Sequence, residues 1–170
     1  MAKKNKNEIE NENEENEEQD EELGIEEYSN ENTVYLKTHD SIHQELCGEI
    51  HKLEFGYAET ELKTTHEMLA DEMGLIHGGF VFGAADYAAM AAVNERNVVL
   101  VASECQFLSP VKLGDIVKVT AKVRHKEGRK RNVEVEAFVL DIKVFTGVFK
   151  TVITERHVLK LKLLDSAGEA

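Results

Sequence analysis

From His77 to Asn97 the chain reads HGGFVFGAADYAAMAAVNERN, and this stretch limits the possible folds more than any other. The alanines at 84, 85, 88, 89, 91 and 92 favour a helix, and apart from Asp86 and Tyr87 the run is apolar or small through Val93. A helix that is apolar nearly all round has to be buried rather than laid on a surface. Its small side chains let a sheet approach closely on several sides, and Asn94 to Asn97 supply a polar stop. A charge within such a helix also demands an explanation, because an unpaired buried carboxylate is costly.

Strand-like runs surround this helix. Leu53, Phe55 and Tyr57 alternate with polar residues and Leu62 continues the pattern, which predicts one long strand over 51–65, bulged near Gly56 or Ala58. Four more runs follow the helix: Val98 to Leu108, Ile116 to Arg124, Asn132 to Leu140, and Val144 to Thr154. The alternation of Val117, Val119, Ala121 and Val123, and of Val133, Val135, Ala137 and Val139, marks half-buried antiparallel strands. Turns fall at Leu113-Gly114-Asp115 and Lys126-Glu127-Gly128, and Pro110 sits in a connection where it costs no ladder bond. Ile42, Leu46 and Ile50 predict a short amphipathic helix within 38–50. Val158 to Leu164 extends the last strand or forms a short tail. The expected fold is α+β, an antiparallel sheet wrapped around one central buried helix.

Charge divides the chain into parts. Residues 1–32 hold three lysines against 13 acidic residues, whereas the chain as a whole carries −13. Such a segment cannot bury enough apolar surface to offset its ordering entropy, so residues 1–33 are expected to be a disordered acidic tail, 34–164 the domain and 165–170 a C-terminal tail. The tail reads as a solvated extension, with an interaction arm as the other reading. No apolar run follows the basic start MAKKNKNE, and none nears the ~18 residues of a membrane span, so neither a signal peptide nor a span is expected. Cys47 and Cys105 stand alone, without CxxC or metal-ligand spacing, and read as reduced cysteines of a cytoplasmic protein. His39 and His43 share helical spacing but lack a third ligand, so no metal site is expected.

The sequence Gly74-Leu75-Ile76-His77-Gly78-Gly79, with Asp86 nine positions after the histidine, resembles the hotdog-fold acyl-CoA thioesterases of the phenylacetate and thioesterase-superfamily-member type. A second patch, Phe107-Leu108-Ser109-Pro110-Val111-Lys112-Leu113-Gly114-Asp115, looks like that family's strand-turn-strand after the helix, and the likeness covers about 55–155. It implies a homodimer or dimer of dimers in which Asp86 is general base or nucleophile. The Gly79 N–H of the other subunit then holds the thioester oxygen. His77 orients the chain or donates a hydrogen bond, and Gly78, Phe80 and Tyr87 line the substrate site. No cofactor is implied; the coenzyme A thioester, or an acyl-carrier thioester, is the substrate. Physical chemistry agrees with this assignment. Unpaired amides at a helix start favour negative charge, and a thioester carbonyl develops such charge during attack.

Three readings stay open at this level. Asp86 is otherwise a structural carboxylate, and His77 a structural residue at a loop-helix junction. The basic run over 112–131 includes Arg124, Arg129, Lys130 and Arg131, and it either meets coenzyme A phosphates or is a solvated hairpin tip. A nucleic-acid role is not expected, since no interleaved aromatics, zinc motif or helix-turn-helix accompany the basic run and the acidic tail opposes it. The rival class is a non-catalytic acyl-CoA-binding regulator. A hotdog dehydratase would need a catalytic histidine in a different motif.

Overall fold

A computed structural model of the chain describes residues 34–161. The acidic 1–33 tail and the 165–170 tail expected from composition lie outside the described residues. The first helix, α1 (Gln44–Cys47), is a single turn, shorter than the periodicity suggests, because Gly48 at φ +94 ends it and a strand starts at once. That strand, β1 (Glu49–Glu54), pairs antiparallel with β2 (Tyr57–Lys63). The single long strand expected here is therefore a hairpin. Gly56 at φ +78 reverses the chain where alternation alone predicts continuity, and Phe55 is left at the tip, 85% exposed.

Helix α2 (Gly78–Val93) follows, then β3 (Val98–Phe107), β4 (Ile116–Glu127), β5 (Lys130–Val139) and β6 (Ile142–Ile153). Val158–Lys160 is a turn of 3-10 helix rather than an extension of β6. All pairings are antiparallel, in the order β1-β2-β4-β5-β6-β3, so β1 and β3 are the edges. The sheet wraps α2, giving the α+β hotdog architecture expected from the sequence. Ala84, Ala85, Ala88, Ala89, Ala91 and Ala92 are fully buried against inward valines of β4 and β5 and against Phe145 and Phe149 of β6. Asn94 ends the helix at φ +50. Its side chain then accepts from Lys37 N–H and donates to the Tyr35 carbonyl, both at 2.8 Å, pinning the incoming chain to the helix end. Among the described residues no helix is long and apolar enough to cross a membrane.

Two glycines test this packing in opposite directions. A Cβ on Gly147 of β6 would lie 2.8 Å from Cys105 Cβ and 3.0 Å from the Glu104 carbonyl oxygen, whereas one on Gly83 would meet nothing within 4 Å. Gly147→Ala is expected to cost about 1–3 kcal/mol by overpacking. Gly83→Ala should be neutral or stabilise by up to about 1 kcal/mol through helix propensity. Urea denaturation of both variants checks the pair; equal effects would contradict this packing.

Candidate active site

The loop before α2 is built by backbone bonds to a distant segment. Ile76 N–H donates to the Val111 carbonyl at 2.9 Å and His77 N–H to that of Met68 at 2.9 Å, while Leu113 N–H reaches the Gly74 carbonyl at 2.9 Å. The two patches that carry the family resemblance are thus neighbours in space. His77 is the N-cap residue, and its Nδ1 accepts from Gly79 N–H at 2.9 Å. The Gly79 amide, expected to face a ligand, is therefore held by the chain's own imidazole. The Gly78 N–H has no acceptor among the described residues.

The glycine pair also has a packing role within the chain. Neither residue is at positive φ. A Cβ on Gly78 would lie 3.0 Å from the Phe107 ring, and one on Gly79 2.8 Å from His77 Nδ1. The close approach the glycines permit is by Phe107 and His77 of the same chain. Phe80, half-buried, stands edge-on to the His77 ring with centroids 6.4 Å apart.

Asp86 lies two turns further along α2, half-buried, and its Oδ1 is fully shielded without a hydrogen-bond partner. Burial pushes its carboxyl up to about 6. At 100° per residue, Gly79, Gly83, Asp86 and Val93 fall within about 80° of arc. All four keep some exposure while the alanines are buried, so the helix has one open stripe. The thiol of Cys47 is near this carboxylate: burial first, then the Asp86 charge, pushes it up and keeps it protonated. Sequence reading missed that neighbour because Cys47 arrives from α1, which only tertiary packing lays on α2. Tyr87, expected to line the substrate site, turns inward within the protomer; it is 1% exposed, with its ring 6.5 Å from that of His39.

An apolar groove of 340 Å³ begins at Gly78 and Val81 and runs past Phe107 and Pro110 to Val144. The basic residues go elsewhere. The β4–β5 hairpin tip is at the C-terminal end of α2, where Lys126 and Arg131 share a crevice with Val93 and Asn94. Arg124 is paired with Glu134, and Arg129 with Glu155 at 3.0 Å. Arg131 donates to the turn carbonyls of Gly128 and Lys130. Lys130 is exposed and makes no ion pair among the described residues. Hence the fold does not bring Arg124, Arg129, Lys130 and Arg131 to the glycines of their own protomer. Among the described residues no group of three or more His, Cys, Asp or Glu is placed to hold a metal ion.

Comparison with known proteins agrees with this geometry. Residues 73–146 match the family model described as Thioesterase superfamily. The uncharacterized protein PH1136 of Pyrococcus horikoshii is 46% identical and superposes with a TM-score of 0.73, over 74% of this chain and 97% of that one. The PaaI protein of the phenylacetic acid degradation operon of E. coli is 27% identical, with a TM-score of 0.62 over 68% of this chain and 86% of its own. A stretch of the methylthioribose-1-phosphate isomerase of Aquifex aeolicus is 51% identical over 117 residues, which is 69% of this chain but only 26% of that protein. The transcription factor FapR of Thermoanaerobacter sp. is 28% identical over 147 residues, 82% of this chain and 72% of FapR. A sheet wrapped on one buried helix, His77-Gly78-Gly79 at its start and these likenesses converge, and the chain belongs to the thioesterase superfamily.

Proposed function

We propose that this domain hydrolyses acyl-coenzyme A thioesters, with Asp86 as general base or nucleophile. The observation that carries this reading is Asp86 itself, the single charge on a buried helix, with an orphaned oxygen and a carboxyl poised at about 6. A structural carboxylate would be satisfied by hydrogen bonds. One left unsatisfied, at the open stripe of the helix, has the basicity to take a proton from water near neutral pH. In the reaction, water attacks the thioester carbon as Asp86 takes its proton. The tetrahedral oxyanion is received by amides at a helix start, and collapse expels the coenzyme A thiolate. If Asp86 attacks directly, the C–S bond breaks and the coenzyme A thiolate leaves as a mixed anhydride forms. Water then cleaves the anhydride to release the acid and restore the Asp86 carboxylate. The Gly78 N–H is free to donate, and the Gly79 N–H becomes so when the His77 ring gives way. The chemistry asks for no metal or cofactor.

Geometry also supports a two-fold assembly. Gly79 and Asp86 are seven residues apart, so about 10 Å separates them along the axis, and one carbonyl cannot meet both within hydrogen-bond reach. A second copy supplies the other half. The edge strand β3 offers the contact: its outer side is unpaired, and Val101 and Phe107 are 59% and 56% exposed. Two half-buried, unbonded cysteines fit a reducing cytoplasm. The likeness to FapR, a transcription factor, favours one other reading, a domain that binds its ligand without cutting it.

Asp86→Asn separates the two readings. Free-thiol release from a series of acyl-CoAs should fall at least about 100-fold in kcat, with binding retained. If native and variant both bind acyl-CoA and neither turns over, the regulator reading replaces the enzyme.

The pH profile follows from the same carboxyl. Catalysis needs it ionised, so kcat/KM should rise through about pH 6 and level off above. Stability runs the other way, because the folded pKa is raised. Below about pH 4 both folded and unfolded states hold the proton, and above about pH 6 the fold carries an ion it disfavours. At pH 8, Asp86→Asn should therefore be more stable by up to about 3 kcal/mol, and the gain should vanish by pH 4. Denaturant titration at both pH values measures this.

Val101→Lys should convert the assembly to monomers in sedimentation and abolish turnover together. Full activity from a monomer would refute the two-half site.

A further inference from the structure

The far end of α2 carries a second feature that the chemistry above does not use. A crevice of 110 Å³ opens there beside Val93, rimmed by Lys37, Phe55, Lys126 and Arg131. Phe55 is held out at the β1–β2 turn, 85% exposed, where burial gives it no reason to be aromatic. Three cations line the same crevice, and Lys37 and Lys126 make no ion pair among the described residues. Arg131 is fixed in place by its bonds to the turn carbonyls. Two carboxylates also line the crevice: Glu54 is occupied by Lys52 Nζ at 3.1 Å, and Glu95 is exposed. An exposed ring beside unpaired cations suits a purine nucleotide, with phosphate in the crevice and the base stacked on Phe55.

We infer that this crevice binds the phosphorylated adenosine end of coenzyme A, and that the domain therefore takes free acyl-coenzyme A rather than an acyl group presented by a carrier protein. The inference rests on the thioesterase-site reading and adds the position of the nucleotide. Distance supports it. From Asp86 to Val93 is about 10 Å along the helix. The pantetheine arm is comparable to about four extended residues, roughly 14 Å. The arm therefore spans from a thioester at Asp86 to phosphates just beyond Val93. The glycines of the same protomer lie about 21 Å from Val93, out of its reach. The crevice thus serves the half-site that uses the Asp86 of its own protomer. A carrier-borne phosphopantetheine has no adenosine and would leave Phe55 without a partner.

The test uses the full chain, with Phe55→Ala, Phe55→Trp and Lys126→Glu, all at exposed positions that leave the core intact. Calorimetric titration with adenosine 3′,5′-bisphosphate should show binding to the native protein. Binding should be at least about tenfold weaker in Phe55→Ala and Lys126→Glu, and restored in Phe55→Trp. In thiol-release assays, the native preference for acyl-CoA over the matching acyl-pantetheine should collapse toward unity in the two weakened variants. Absence of bisphosphate binding, or equal binding by all variants, overturns the inference. So does bisphosphate binding without any preference for acyl-CoA over acyl-pantetheine, which would make this a site for free nucleotides. If acyl-CoA is never cut but its binding depends on Phe55 and Lys126, hydrolysis is wrong and the subsite stands.

Discussion

Burial of α2 is the constraint on which the rest depends. Six alanines at zero exposure let β4 and β5 approach the helix closely on one side. Where the sheet curves round, the missing volume is filled by aromatic rings, with Phe82 and Phe149 centroids 5.4 Å apart and Phe107 and Phe145 5.2 Å apart. Interiors tolerate neither voids nor excess volume. The run of small residues on the helix and the phenylalanines on β3 and β6 are therefore one packing solution written in two places. The same solution fixes the loop before the helix, because Phe107 occupies the space that the missing side chain of Gly78 leaves.

That burial gives Asp86 its chemical character. A carboxylate on an exposed helix would ionise near 4 and do little at neutral pH. Here the fold withdraws water from it and offers no hydrogen bond to Oδ1, and the carboxyl rises to about 6 by desolvation alone. The fold holds this group at a cost in stability. Such a cost is characteristic of sites where reactivity, and not packing, decides the residue. The amides at the helix start and the carboxylate in its middle share a stripe but not a carbonyl, since a straight helix keeps them about 10 Å apart. On the proposed thioesterase reading, the half of the site that one protomer cannot complete comes from a second copy.

The sequence alone disclosed a good deal. The alanine run and the alternation of Val117 to Val123 and Val133 to Val139 determined that one buried helix is wrapped by antiparallel strands, because burial on all sides and burial on one side leave different periodicities. Asp86 was legible as a candidate for the same reason, a charge where the pattern permits none. The spacing from His77 to Asp86 carried the family likeness. What periodicity could not disclose was reversal: Phe55 keeps the strand alternation, yet Gly56 at positive φ folds the run into a hairpin.

Tertiary structure alone decided who meets whom. It turned Tyr87 inward, brought Cys47 to Asp86, occupied Gly79 N–H with His77, and carried the basic hairpin to the end of the helix opposite the glycines. None of these follows from local pattern, because each joins segments through packing, and packing depends on volumes and directions that a one-dimensional pattern does not record. The sequence by itself determined the kinds of element and the candidate carboxylate. The sheet's closure around α2 determined which surface that carboxylate faces, since only in three dimensions does one stripe of the helix stay uncovered.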